Sequence, residues 1–242
     1  MHTLTFNHYR EIMKSIKKNG YKSVSFYEEI DGKQVLVRHD IDIDLDSALQ
    51  MAKIEKEEDI KATYYIWINS PFYNIFEARY RKIIKEILEL GHDIGLHFDE
   101  TAYEIKSKED ILYWINKECN LINNYFNINI KSVSFHRPSE YVLQGDLDLG
   151  KYVNTYSNKY FKEYKYISDS NGIWREGCGC NLFNENKYER IQLLTHAIWW
   201  KEEDSNGDVR LDEYVQFKLD KLEEDLSKNI KRYKPNNYKL KR

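Results

Sequence analysis

Short apolar runs alternate along this chain with stretches of helical periodicity, and that alternation restricts the fold more than any other feature. The runs are 34–40 ("QVLVRHD"), 62–68 ("ATYYIWI"), 92–99 ("HDIGLHFD"), 130–138 ("IKSVSFHRP") and 191–195 ("IQLLT"). Between them Leu45, Leu49 and Ala52, then Ile83, Ile84, Ile87 and Leu88, then Ile111, Ile115, Cys119, Ile122 and Phe126 recur at helix spacing. Asp44 or Asp46 is placed to cap the first of these helices, Gly91 to end the second, and Ser107 with Asp110 to form a capping box on the third. Strand, helix, strand, helix in series predicts parallel strands with helices outside, an α/β layer or barrel. Phe6, Tyr9, Met13 and Ile16, closed by Gly20, predict an N-terminal helix, and 23–29 ("SVSFYEE") with 34–40 reads as a hairpin around "DGK". A last helix is expected over 211–229 with Val215, Leu219, Leu222 and Leu226 on one face, followed at 230–242 by a mobile basic tail. No repeat or linker divides the chain, so one domain spans 1–242, its core at about 33–202 and the terminal elements as additions.

In such a fold the chemistry collects at the carboxyl ends of the strands. Polar clusters fall there in this sequence: Asp40 and Asp42 after the first run, His97 and Asp99 after "DIGL", His136 and Arg137 after "SVSF", and His196 after "IQLLT". Four strand ends are thus expected to face one site. Carboxylates without partners are expensive to remove from water, so aspartates spaced by two at a strand end imply a cation or a proton between them. Asp and His together are ligands for a borderline divalent cation, most simply zinc, which lowers the pKa of its water while a nearby carboxylate accepts the proton and a second acid protonates the leaving group. Residues 139–190, with Gly145, Gly150, Gly172, Gly177 and Gly179, read as loops over the mouth, carrying short strands such as "YKYIS".

The net charge of −3 marks no field for nucleic acid or anionic membrane. No apolar run approaches membrane-spanning length, and the first residues lack the apolar core of a secretory signal, so a cytoplasmic protein without a membrane span is expected. Three cysteines, Cys119, Cys178 and Cys180, do not make a disulfide framework, and "CGC" alone reads as a turn with ordinary thiols. His92 reads as structural, and Trp199 and Trp200 as core.

From about 33 to 202 the sequence resembles the polysaccharide deacetylases of the NodB-homology fold, in a divergent cytoplasmic branch with an "RHDxD" opening motif. Five motifs carry the resemblance in order: "RHDID", "GHDIGLHFD", "FHRPS", "SDSNGIW" and "LLTHAIWW". The resemblance implies a distorted (β/α) barrel. It further implies Asp40 as general base, Asp42 and His97 as metal ligands, Arg137 orienting Asp40, Asp169 and Trp174 lining the site, and His196 as general acid oriented by Asp169. Trp174 would stack on a sugar ring. The activity implied is hydrolysis of an N-acyl, most simply N-acetyl, group from an amino sugar. The substrate class is a glycan or a nucleotide- or lipid-linked precursor in surface polysaccharide biosynthesis.

The sequence departs from that pattern in two places. Where most members carry a second metal histidine stands Thr101, so the third ligand falls to His136 or, failing it, Asp99. The opening motif separates its aspartates by Ile41, so Asp40 and Asp42 can exchange roles, with Asp44 a further participant. Two other readings fit the residues. The DxD cluster also suits a magnesium-dependent phosphotransferase or sugar-nucleotide transferase, which leaves the histidines without roles. A sugar-binding member that has lost activity would have Thr101 as its mark.

Overall fold

The computed structural model describes residues 3–240. Helix α1 (Phe6–Lys18) is followed by β1 (Lys22–Ser23), β2 (Gln34–Ile41), α2 (Leu45–Glu57), β3 (Ala62–Ile66), α3 (Ala78–Glu89), β4 (Asp93–Asp99), α4 (Lys108–Phe126) and β5 (Ser132–His136). Then come α5 (Glu140–Gln144), β6 (Val153–Asn154), β7 (Lys165–Ser168), α6 (Gly179–Glu185), β8 (Arg190–Thr195) and α7 (Gly207–Asn229). The expected alternation is therefore present. Asp44 caps α2 by accepting from the amides of Asp46 and Ser47, each at 3.0 Å, and Ser107 caps α4 from Asp110.

The strands run in the order β6-β5-β4-β3-β2-β8-β7, with β1 beside β2, and every strand-to-strand pairing is parallel. The result is a distorted (β/α) barrel, a curled sheet open between β6 and β7. The expected hairpin does not form. Lys22 and Ser23 pair in parallel with Gln34 and Val35, and the residues between loop across the barrel floor instead of turning back in the sheet. There Val24 and Phe26 join Leu36, Tyr65, Tyr160 and Tyr164 in a cluster of their own.

Because side chains alternate across a strand, register decides which residues share a face. Arg38 lies beside Leu194, Asp40 beside Tyr65, Tyr65 beside Gly95, His97 beside Ser134, and Asp99 beside His136. Arg38, Asp40, His97, Ser134 and His136 therefore all point to the inside of the barrel. Gly95 allows this packing, because a Cβ there would strike the ring of Tyr65, whose hydroxyl reaches across to Ser132 Oγ at 2.8 Å.

The opposite face packs against the helices in a continuous core containing Val35, Val37, Ile41, Tyr64, Leu96, Phe98, Val133, Phe135 and Leu193. His39 lies on that side. Its ring bonds Thr195 Oγ1 at 2.7 Å and Glu55 Oε1 at 2.6 Å, and Glu55, fully buried on α2, also accepts from Tyr9 and Tyr64. His92 takes the structural place expected of it, accepting from the amide of Ala62 and donating to the Ala52 carbonyl. Trp200 is fully buried.

Helix α7 seats differently from its expected apolar face. Val215 and Leu222 are exposed, and the buried positions are Arg210, Tyr214 and Glu223. Tyr214 reaches the Phe72 carbonyl at 3.0 Å, and Arg210 the Leu4 carbonyl at 2.7 Å, so this helix docks through polar tips. The expected basic tail is described as far as 240, and the Asn236 amide returns to Glu223 at 2.7 Å. Among the described residues no helix is long and apolar enough to cross a membrane.

Candidate metal centre and active site

Three strand ends bring Asp42, His97 and His136 together with one ligand atom each within 4.8 Å of the others. Asp42 Oδ1 lies 3.0 Å from His97 Nε2 and 3.1 Å from His136 Nδ1. The proton on His97 can be assigned from its neighbours. Ser134 gives its single hydroxyl proton to Asp40, at 3.1 Å, and so must accept from His97 Nδ1 at 3.0 Å. With that single ring proton His97 Nε2 would present a lone pair to a carboxylate oxygen, so either a second proton or a metal ion belongs between them.

Metal–ligand distances of about 2.0–2.2 Å give tetrahedral ligand–ligand edges of about 3.3–3.6 Å, a few tenths of an ångström wider than the contacts of Asp42 Oδ1 with His97 and His136. The three residues therefore fit a divalent transition metal. The mixed nitrogen and oxygen donors suit it better than magnesium. His136 is held by Trp67, whose ring stacks on it at 4.0 Å and 23°. Burial opposes the charge on Asp42, but hydrogen bonds from His136 and His97 outweigh it and hold its pKa far below the ordinary carboxylate value.

Asp40 stands beside this cluster, its Oδ2 3.9 Å from His97 Nδ1. Arg38 grips both of its oxygens, Nε to Oδ1 at 2.9 Å and Nη2 to Oδ2 at 2.7 Å, and the pair is almost fully buried. Arg38 also donates to Gln192 and to Tyr156, whose ring lies 4.7 Å beneath its guanidinium. Burial would raise the pKa of Asp40, but the Arg38 charge outweighs it and the carboxyl is held below its ordinary value.

The third component is His196, just past β8. Its ring Nδ1 bonds Asp169 Oδ1 at 2.7 Å, and its own amide donates to the same carboxylate at 3.0 Å. Trp200 Nε1 completes the set at 2.8 Å from Asp169 Oδ2. Burial alone would lower the imidazole's pKa. The hydrogen bond and charge of Asp169, with the charges of Asp42 and Asp40, lift it to about 9. An imidazolium is thus maintained at neutral pH, with the Asp169 bond fixing which nitrogen faces inward.

The expected residues that the structure gathers are Asp40, Asp42, His97, His136, His196 and Asp169. Arg137 is not among them. It is exposed, at φ 50°, on the rim of a surface groove with Thr101 and Tyr141, and the guanidinium against Asp40 belongs to Arg38. Asp99 turns aside to cap the short helix Glu100–Ala102, bonding the Thr101 amide at 2.9 Å and hydroxyl at 2.7 Å. Asp44 is spent on its cap and on Lys201. Trp174 packs against Trp200 at 6.2 Å and lines a cavity of about 570 Å³ whose walls include neither the metal-ligand candidates nor His196.

Arg38, Ser134 and Trp67 were missed by the sequence reading. The two-residue spacing of Arg38, Asp40 and Asp42 carried the signal for the first.

No family model matches this sequence, and no curated protein matches it. Solved structures do. A Streptococcus pyogenes deacetylase in complex with acetate is 17% identical, with 73% of this chain and 84% of that one covered and a TM-score of 0.48. The chitin deacetylase of the fungal pathogen Colletotrichum lindemuthianum is 16% identical, covering 76% and 81%, with a TM-score of 0.46. The chain is similar in fold to carbohydrate deacetylases. It is similar also to a CE4 family pseudoenzyme from Bacillus anthracis, 15% identical over 81% of this chain and 63% of that one, with a TM-score of 0.47.

Proposed function

We propose that this protein is a divergent polysaccharide deacetylase that hydrolyses an N-acyl group, most simply N-acetyl, from an amino sugar. The observation that carries the reading is the convergence of His97 Nε2 and His136 Nδ1 on one oxygen of Asp42, with Asp40 held by Arg38 and His196 by Asp169. Asp42, His97 and His136 would hold a divalent cation, zinc by the character of its donors. Such an ion, when bound, polarises a carbonyl and favours deprotonation of water. Asp40, ionised and fixed by Arg38, takes the proton of the water that attacks the acyl carbon. His196, protonated at neutral pH, gives its proton to the departing sugar amine as the carbon–nitrogen bond breaks.

The products are the amine and a carboxylic acid, which ionises in solvent; the Asp40 proton returns to solvent and His196 takes one back, so that base and acid are both restored. Arg38 and Asp169 touch no reacting atom and act by positioning the base and the acid.

The odd set of three cysteines supports a reducing, cytoplasmic setting. In that setting the substrate is a nucleotide- or lipid-linked precursor of a surface polysaccharide rather than a finished wall polymer. The test is release of acetate from N-acetylated oligosaccharides and from sugar nucleotides by zinc-reconstituted protein, beside Asp42→Ala and His97→Ala variants of matched thermal stability. Release that is lost in both variants supports the reading. Sugar binding without release under any divalent metal would leave an inactive binder, and phosphoryl or glycosyl transfer with magnesium would replace the hydrolase.

A further inference from the structure

The "CGC" turn meets α1 on the helix-covered face of the sheet, beside Ile12 and Leu193. Cys178 caps α6, its Sγ accepting from the Cys180 amide at 3.3 Å. Gly179 lets the turn settle onto α1, where a Cβ would lie 3.3 Å from Ile12 Cγ2. This approach brings Cys178 Sγ to 3.0 Å from Cys180 Sγ and 3.2 Å from His8 Nε2.

His8 and Cys178 are buried, and Cys180 is partly exposed. The other nitrogen of His8, Nδ1, bonds the Thr3 carbonyl. A carbonyl only accepts, so Nδ1 carries the proton and Nε2 aims a lone pair at the sulfurs. A histidine whose distal N–H is held by a backbone carbonyl is oriented as metal-ligating histidines are. All three ligand atoms lie within 4.8 Å of one another.

We propose that His8, Cys178 and Cys180 form a second metal site, for zinc, separate from the Asp42 cluster and structural in role. Two thiolates and one imidazole are a soft donor set that selects zinc over magnesium or calcium. On ligation each thiol releases its proton to water and a sulfur–zinc bond replaces each S–H, with no oxidant or reductant involved.

Zinc–sulfur bonds of about 2.3 Å require sulfurs about 3.7 Å apart in a tetrahedron, so the pair must open by somewhat more than half an ångström. Cys180, the less buried of the two, would make that movement, and water would complete the fourth position. The bound ion would clasp α1 to the segment that follows Trp174. His8 is 6.3 Å from Trp200, whose indole holds Asp169, so the clasp also abuts the support of His196.

The test is cobalt substitution of the full chain under reducing conditions, because thiolate-to-cobalt charge-transfer absorption arises from sulfur ligands alone. The Asp42 site contains no sulfur, so its success or failure does not affect the readout. The wild type should show the band, Asp42→Ala should keep it, and Cys178→Ser/Cys180→Ser should lose it together with one ion per chain relative to the wild type.

Should the double variant fail to fold, zinc-dependent protection of Cys178 and Cys180 from alkylation in the wild type, located by mass spectrometry, decides the matter. Absence of the band in the reduced wild type, or alkylation of both thiols at the same rate with and without zinc, would overturn the site.

Discussion

Arg38 and Asp40, two residues apart on one face of β2, form a bidentate ion pair inside the barrel, and the charge of the proposed base depends on it. Removing one partner of such a pair costs about 3–5 kcal/mol. Arg38→Met should therefore lower stability by that order and let the Asp40 carboxyl rise towards protonation. Acyl release should fall by roughly 10²–10⁴-fold, with the acid limb of its pH profile moved upward. The pair's contribution to stability is complete above the ordinary carboxylate value and lost as the pH falls through the lowered one. A profile whose acid limb stays in place would refute the positioning role.

Thr101, where the resemblance to deacetylases implies a second histidine, is bonded to Asp99, and His136 completes the cluster. Calorimetric zinc titration should therefore find Thr101→Ala close to wild type at the Asp42 site. His136→Ala, missing one of three ligands, should bind there at least about 10²-fold more weakly, more than the tenfold to hundredfold typical of a supporting residue.

His196 should titrate near pH 9 in the metal-free protein, read by NMR of its ring protons. Asp169→Asn should bring that value back towards 6.5. The folded pKa lies above the unfolded one, so the pair's stabilisation is complete below about 6.5 and disappears as the pH rises through 9. The difference is on the order of 3 kcal/mol, and calorimetric melting across that interval should show it in the wild type and not in the variant.

Glu118 offers a pH effect remote from the chemistry. Burial raises its pKa to about 7, against hydrogen bonds from Tyr103 and Asn69 that favour the ionised form. A carboxyl with a raised folded pKa stabilises most below its unfolded value of 4.5, and that contribution is lost as the pH rises to 7. Glu118→Gln should flatten this part of the stability profile, a slope worth on the order of 3 kcal/mol in total.

The barrel and its strand ends were legible in the sequence because both rest on local periodicity. Strand alternation places 38, 40 and 42 together, and the helices between runs require parallel neighbours. What periodicity does not carry is which residue meets which across the sheet. Alternation puts Arg38 on the face of Asp40, but that Arg38 and not Arg137 grips the carboxylate, with Arg137 exposed past the end of β5, shows only in the folded sheet. Trp174 likewise lies in the expected segment, but the turn that carries it faces another cavity. The apolar face expected of α7 failed for a related reason: Tyr214 and Arg210 dock by polar tips that a hydrophobic period cannot register.

His39, alone among the first three letters of "RHDID", points away from the barrel interior, into the bonds with Thr195 and Glu55. The motif therefore joins two separate demands in consecutive positions, one set by chemistry and the other by the folded state. In a lineage descended from this chain that abandoned catalysis, Arg38, Asp40 and Asp42 would be free to drift while His39 and Glu55 stayed fixed. The position least connected with the reaction would then preserve the record of ancestry longest.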